Sequence, residues 1–182
     1  MNANLDSSAL AVLALKQSGH IELAQRLSAM RELNCHAFGY VELRLAHWRS
    51  TKFNALNAND AAKNLEAVEQ LWRDVNLIEL DPATIRRAGA LSQLHQLRAY
   101  DAVHLAAAES LQRDVGKKFL RWFCFDAQLN QAAAAIGLVD GLGLRAEFTP
   151  MFAPAKTGPN PDANRSPDKL GRAQAPQTPV QS

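Results

Sequence analysis

Short apolar runs alternate with segments of helical period along most of this chain, and that alternation limits the fold more than any other feature. Apolar runs at 3–5, 35–38, 77–80 and 122–125 have strand length, with a weaker fifth at 137–139 or 144–148. Between them, helical patterns are expected at about 8–17, 20–32, 40–50, 60–75, 83–96, 100–114 and 127–136. The clearest is 60–75, where Ala61, Leu65, Val68, Trp72 and Val75 recur at steps of three and four. Asp81 before Pro82 reads as a cap followed by a first-turn proline. Strands separated by helices must pair in parallel and be covered on both faces. The expected class is α/β, with three layers and a short parallel sheet of about five strands.

The pattern stops near residue 150. Seven of the eight prolines stand at or after Pro150, among Ala, Asn, Gln and Ser with few large apolar side chains. Such a segment buries too little surface to offset its ordering entropy, so 150–182 is expected to be a disordered tail beyond a 1–149 domain. No apolar run approaches the roughly 18 residues of a membrane span. No basic segment precedes an apolar one at the N-terminus, so a secretory signal is not expected. Cys35 and Cys124 each sit in an apolar stretch and read as reduced core residues of a cytoplasmic protein.

Ligands of open parallel sheets gather beyond the carboxyl ends of the strands, where helix N-termini also collect. Asp6 follows the first strand and Asp126 the fourth, each just before a helix. Glu42 and Asp101 fall near the starts of two further helices, among apolar neighbours such as Val41, Leu43, Ala102 and Val103. Each acid alone has an ordinary explanation, as an N-cap or as a first-turn charge answering the helix dipole. Four acids at strand-exit and helix-entry positions together suggest a pocket.

The strings around these acids resemble PIN domains. Leu5-Asp6-Ser7-Ser8-Ala9-Leu10 is similar to the family's opening motif and Tyr40-Val41-Glu42-Leu43 to its second. Leu97-Arg98-Ala99-Tyr100-Asp101-Ala102-Val103-His104-Leu105-Ala106 resembles the third and is the most specific. Phe125-Asp126-Ala127-Gln128-Leu129 resembles the fourth. Order and spacing agree over about residues 2–140, with most similarity to VapC-type toxins of bacterial toxin–antitoxin pairs. Asn2 and Asn4 make the first strand more polar than usual, Cys124 stands where the family often has Thr or Ser, and the link 116–121 is long.

The resemblance implies a metal-dependent endoribonuclease, the toxin of a type II pair, acting as a homodimer and restrained by an antitoxin protein. Crowded carboxylates cannot all stay ionised unaided. Mg²⁺ or Mn²⁺, which take hard oxygen ligands at about 2.0–2.1 Å, would resolve the conflict. Asp6 and Asp101 are the expected main ligands, with Asp126 completing the site. Glu42 would ligate through water or orient the nucleophile, and Ser8 would support Asp6 from behind. The first 149 residues hold 16 basic and 16 acidic side chains, so neutralising four acids leaves +4 to meet RNA. Arg44, Arg49, Lys52 and Arg98 are candidate phosphate contacts, or simply a solvated basic face. His104, one turn after Asp101, has no second His or Cys nearby in sequence and is expected to pack or to support the site. Trp48 is expected in the core rather than as a base-stacking platform. The alternatives are a non-catalytic PIN-like module that binds RNA or protein, and a phosphatase or receiver-type pocket. The latter is disfavoured because Asp6-Ser7-Ser8 lacks a second adjacent acid.

Overall fold

A computed structural model describes residues 1–143 of the chain. Residues 144–182, which include the 144–148 strand candidate and the proline-rich segment, lie outside the described residues. Four strands, β1 (Asn2–Leu5), β2 (Glu32–His36), β3 (Val75–Ile78) and β4 (Leu120–Phe123), form a sheet of order β3-β2-β1-β4. Every pairing is parallel. Seven α-helices cover it: α1 (Ser7–Ala14), α2 (His20–Leu27), α3 (Phe38–Phe53), α4 (Ala58–Arg73), α5 (Pro82–His95), α6 (Ala99–Val115) and α7 (Ala127–Ala135). The expected α/β class with helices flanking a parallel sheet is what the chain adopts.

The differences from expectation have physical causes. β2 starts at Glu32 and ends at His36, because Phe38 already belongs to α3. β3 likewise opens at Val75, which is buried in the sheet and not the last turn of the preceding helix. The described sheet has four strands instead of about five. The 137–139 candidate is reduced to a parallel bridge between Trp122 and Asp140. Trp122 N–H donates to Val139 O at 2.8 Å and Gly141 N–H to Trp122 O at 2.7 Å.

Alternation along the strands splits the interior into two cores. Ala3, Leu5, Cys35, Val75 and Phe123 meet α1–α4 on one face. Leu120, Trp122 and Cys124 meet α5–α7 on the other. That second face is polar toward the middle of the sheet. Asn4, Asn34 and His36 are buried there, and the His36 ring lies 4.0 Å from His104 of α6. Both ring nitrogens of His36 lack a hydrogen-bond partner, as does Asn4 Oδ1. Burial, then the charge of His104, holds the His36 imidazole down at about 3, so it is neutral. Both cysteines are free and buried.

Caps fix where helices begin. Asp81 Oδ1 accepts Thr84 N–H at 2.6 Å, with Pro82 in the first turn. Asn57 caps α4 through Asp60 N–H at 2.9 Å. Arg87 grips Glu109 through two hydrogen bonds of 2.6 and 2.7 Å, joining α5 to α6.

Gly39, in the first turn of α3, sets how closely that helix approaches the sheet. A Cβ there would collide with Cys35 Sγ and touch Leu10 Cδ1 at 3.6 Å. Gly89, exposed inside α5, would meet nothing within 4 Å. Replacing a helical glycine by alanine should stabilise by about 0.5–1 kcal/mol when there is room. Gly89→Ala is therefore expected to raise the unfolding free energy by about that amount. Gly39→Ala should lower it by about 1–3 kcal/mol through overpacking. Paired urea titrations check the opposite signs, and a stabilised Gly39→Ala would contradict the close packing of α3 on β2.

Candidate active site

The parallel pairing of β1 with β4 brings two acids together. Leu5 pairs with Phe123, and Asp6 N–H donates to Phe123 O at 3.1 Å. Asp6 and Asp126 then leave neighbouring strands at the same edge. Both are helix caps, as their positions allow. Asp6 Oδ1 accepts Ala9 N–H at 2.9 Å and Asp126 Oδ1 accepts Leu129 N–H at 2.9 Å. In each case the cap uses one oxygen. Oδ2 of Asp6 accepts the Cys124 thiol at 3.2 Å, and Oδ2 of Asp126 lies 4.0 Å from Arg98 Nη2. Capping and pocket chemistry therefore do not exclude one another.

Ser8 joins the two strand exits. Its hydroxyl donates to Asp6 Oδ1 at 2.6 Å and accepts Phe125 N–H at 2.8 Å. Asn130 anchors α7 beneath Asp126, taking Trp122 Nε1–H at 2.9 Å and donating to Cys124 O at 2.9 Å. Cys124 Sγ also accepts Asp126 N–H at 3.2 Å. Burial, and then the charge of Asp6, pushes the Cys124 thiol well up, so it stays protonated and donates.

Asp101 stands in the first turn of α6 and is held by Arg98. Nε reaches Oδ2 at 2.7 Å and Nη2 reaches Oδ1 at 3.2 Å. Glu42, in α3, meets His104 of α6, with Nε2 to Oε2 at 2.6 Å. His104 is buried and Glu42 is partly open. Burial works against a charge on His104. Side-chain hydrogen bonds with Cys35 and Glu42, together with the charges of Cys35 and Asp6, outweigh it and hold the imidazolium to about 10. Burial raises the Asp6 carboxyl, opposed by the His104 charge and by hydrogen bonds from Ser8, Ala9 and Cys124.

Two cations stand among these acids. Arg98 touches Asp101, approaches Asp126 and feels Glu42. His104 touches Glu42 and feels Asp6. The sequence points to the acids and Ser8 as candidates and not to these cationic links. His104, one turn after Asp101 on the buried face of α6, was the available signal. The oxygen-only donor set suits a hard divalent ion. Among the described residues, no three His, Cys, Asp or Glu side chains stand close enough to hold one. Arg98 occupies both oxygens of Asp101, so binding there means exchanging one cation for another.

The basic candidates divide. Arg44 bonds Glu69 at 2.9 Å and Tyr40 Oη at 2.9 Å, and Arg49 is exposed. Lys52 lies over the Trp48 ring at 5.0 Å. Trp48 is not in the core: it is 52% exposed, on the outer face of α3 with Val41 and Leu45. The inner face of that helix is occupied by Leu43 and Gly39, which leaves no room for Trp48 inside.

The chain is similar to known proteins over much of its length. Two relatives are ribonuclease VapC45 of Mycobacterium tuberculosis (strain CDC 1551 / Oshkosh) and ribonuclease VapC49 of Mycobacterium tuberculosis (strain ATCC 25618 / H37Rv). Each is 32% identical over 98 residues, covering 54% of this chain and 65% of the relative, just under two thirds of its length. The PIN domain family model matches residues 4–133, a span that holds Asp6, Glu42, Asp101 and Asp126. By that match, the chain belongs to the PIN domain family.

Proposed function

We propose that this protein is a metal-dependent endoribonuclease, the toxin of a type II toxin–antitoxin pair. The observation that carries the reading is that Asp6 and Asp126 leave neighbouring parallel strands at one sheet edge in a PIN domain chain, with Arg98 reaching from Asp101 toward Asp126. The names of the two ribonuclease relatives support RNA as the substrate. Asp6, Asp101 and Asp126 would hold Mg²⁺ or Mn²⁺. When bound, such an ion supplies charge neutralisation and Lewis-acid activation for phosphodiester hydrolysis. Glu42, fixed through Oε2 by His104, orients the attacking water. Ser8 keeps Asp6 in place. Arg49 and Lys52 hold backbone phosphates, with Arg44 at the edge of the same surface.

Partners follow from the same reading. Phe38, Val41, Leu45 and Trp48 form an exposed apolar stripe on α3, continued by Tyr100, whose ring is 5.9 Å from Phe38. A groove of about 560 Å³ runs beside it, lined by Tyr40, Val41, Arg44, Leu45, His47, Trp48 and Thr51. A surface of this kind serves a protein partner, here an antitoxin or the second copy of a homodimer. Among the described residues no helix is long and apolar enough to cross a membrane. An RNA substrate places the protein in the cytoplasm on this reading. The 150–182 segment is dispensable for cleavage on this reading. A second reading, a PIN module that binds without cutting, is favoured by one observation: Arg98 already saturates Asp101.

Cleavage assays separate the two. RNA hydrolysis should require Mg²⁺ or Mn²⁺, stop on chelation, and fall about 100-fold or more in Asp101→Asn. Undiminished cleavage in excess chelator, with metal removal verified, would overturn the metal-dependent reading.

Asp6→Asn adds a test that a simple helix cap would fail. Asn caps about as well as Asp, so a mere cap should be silent. Because folding raises the Asp6 carboxyl, its contribution is fully present below its ordinary value of 3.8 and is lost as pH rises. In chelator, Asp6→Asn should therefore be the more stable protein by about 0.5–2 kcal/mol, with a gain that grows from about pH 4 to pH 7. Mg²⁺ should shrink the gain by stabilising the wild type alone, while cleavage by the mutant collapses. Thermal melts across pH, beside the same cleavage assay, read all three. Wild-type cleavage by Asp6→Asn would return Asp6 to a capping role.

A further inference from the structure

A second groove, of about 290 Å³, lies between the end of α5 and α7. Its size is at the small end of the roughly 300–1,000 Å³ of small-molecule sites. Leu94, His95, Gln96, Gln128, Gln131 and Ala132 line it, and no acid, lysine or arginine does. Gln128 Nε2 donates to Gln96 O at 3.1 Å and so joins the two sides. Gln96 stands two residues before Arg98, and Gln128 two residues after Asp126. Since Arg98 Nη2 lies 4.0 Å from Asp126 Oδ2, the groove adjoins the edge that carries the acids.

The lining has hydrogen-bonding capacity that the fold does not use. All three glutamines are exposed. Among the described residues, the side chains of Gln96 and Gln131 have no hydrogen-bond partner, and Gln128 leaves its side-chain carbonyl free. His95 Nε2, buried in the wall, has no partner either. A primary amide offers donors and acceptors without charge, the pattern that the edges of nucleobases answer. A phosphate would find no arginine or lysine here.

Gln96 also sits in a costly backbone conformation. Its φ of 54° and ψ of 39° are left-handed, where glycine ends a helix without steric penalty. Three non-glycine residues have positive φ, Lys16, Ala55 and Gln96, each at or just past a helix end. Of the three, only Gln96 lines this groove. Strain held where a side chain faces a binding surface points to a use for that side chain.

We propose that this groove holds one unpaired nucleobase of the RNA strand, with the Gln96 and Gln131 amides reading its edge. The inference rests on the nuclease reading above and adds base selection to it. Leu94, 69% exposed, supplies an apolar contact for the base. Arg98, two residues from Gln96, stands on the side from which the strand would reach the acids.

The test is RNA binding by full-length wild type, Gln96→Gly and Gln131→Ala, followed by fluorescence anisotropy in excess chelator. The probes are short labelled strands of A, C or U alone and an abasic strand of the same length. Wild type should bind one base-bearing strand about tenfold more tightly than the abasic strand. Each substitution should cut that preference about three- to tenfold. Abasic affinity and its salt dependence should stay unchanged, because no phosphate contact is touched. Gln96→Gly should melt no lower than wild type, since glycine relieves the left-handed backbone, so misfolding would not explain its loss. Gln131→Ala, at an exposed helical position, carries the test alone if Gln96→Gly does not fold. A preference that survives both substitutions overturns the base assignment and leaves the groove to another partner, such as a peptide. Equal losses on the abasic strand, or a wild type with no preference, also overturn it. A wild type that binds none of the strands overturns it as well, and if it also fails to cleave RNA with Mg²⁺ present, the nuclease reading falls too.

Discussion

Charged groups held inside a protein need partners, and Asp6, Glu42 and Asp101 are each held by one. Asp6, Glu42, Asp101 and Asp126 come from four separate stretches of chain. Two cations pair with three of them. His104 is a buried imidazolium against Glu42, and Arg98 is a rim guanidinium against Asp101 and Asp126. Burying charge is costly unless it is paired, and the His104–Glu42 pair crosses between helices, whereas Arg98 and Asp101 stand three residues apart at the start of α6. The contact between His104 and Glu42 ties α6 to α3 across the sheet edge. The hydroxyl of Ser8 ties the β1 exit to the β4 exit.

Division of labour within single carboxylates makes this economical. Asp6 and Asp126 each give one oxygen to a helix N-terminus, while the other oxygen faces Cys124 in Asp6 and Arg98 in Asp126. The caps fix the position of each carboxylate by backbone geometry, independent of what binds. Cys124, protonated by burial and by its acidic neighbour, supplies a weak donor to Asp6 without adding another charge.

Much of this was legible in the sequence because it depends on local rules. Helices such as α4 and α5 follow from apolar spacing and from the Asp81-Pro82 start. Asp6 and Asp126 follow from their places between a strand and a helix. What stayed hidden depends on tertiary contact. The partner of Glu42 lies 62 residues away on α6, a separation no period encodes. Trp48 was misjudged because an α3 flanked by Tyr40, Leu43, Leu45 and Trp48 has apolar residues on more than one side, and only packing decides which side is inner. Strand starts at Glu32 and Asn2 were missed because they are polar residues that enter the ladder before the apolar core does. The one visible hint of the polar seam was the alternation of Asn4, and of Asn34 with His36, on one face of the strands.

The central claim is that these four acids form one cation site rather than four separate caps and surface charges. Amide spectra of the metal-free protein during Mn²⁺ addition test it most directly, since the ion broadens signals near it. The account predicts that Asp6, Glu42, Asp101 and Asp126 lose intensity together at the first substoichiometric additions. Asp114, 13 residues along α6 from Asp101 and so about 20 Å away, should stay sharp. Broadening that spreads equally to Asp114 and other surface acids, or that reaches Asp6 and Asp101 at different Mn²⁺ concentrations, would contradict it.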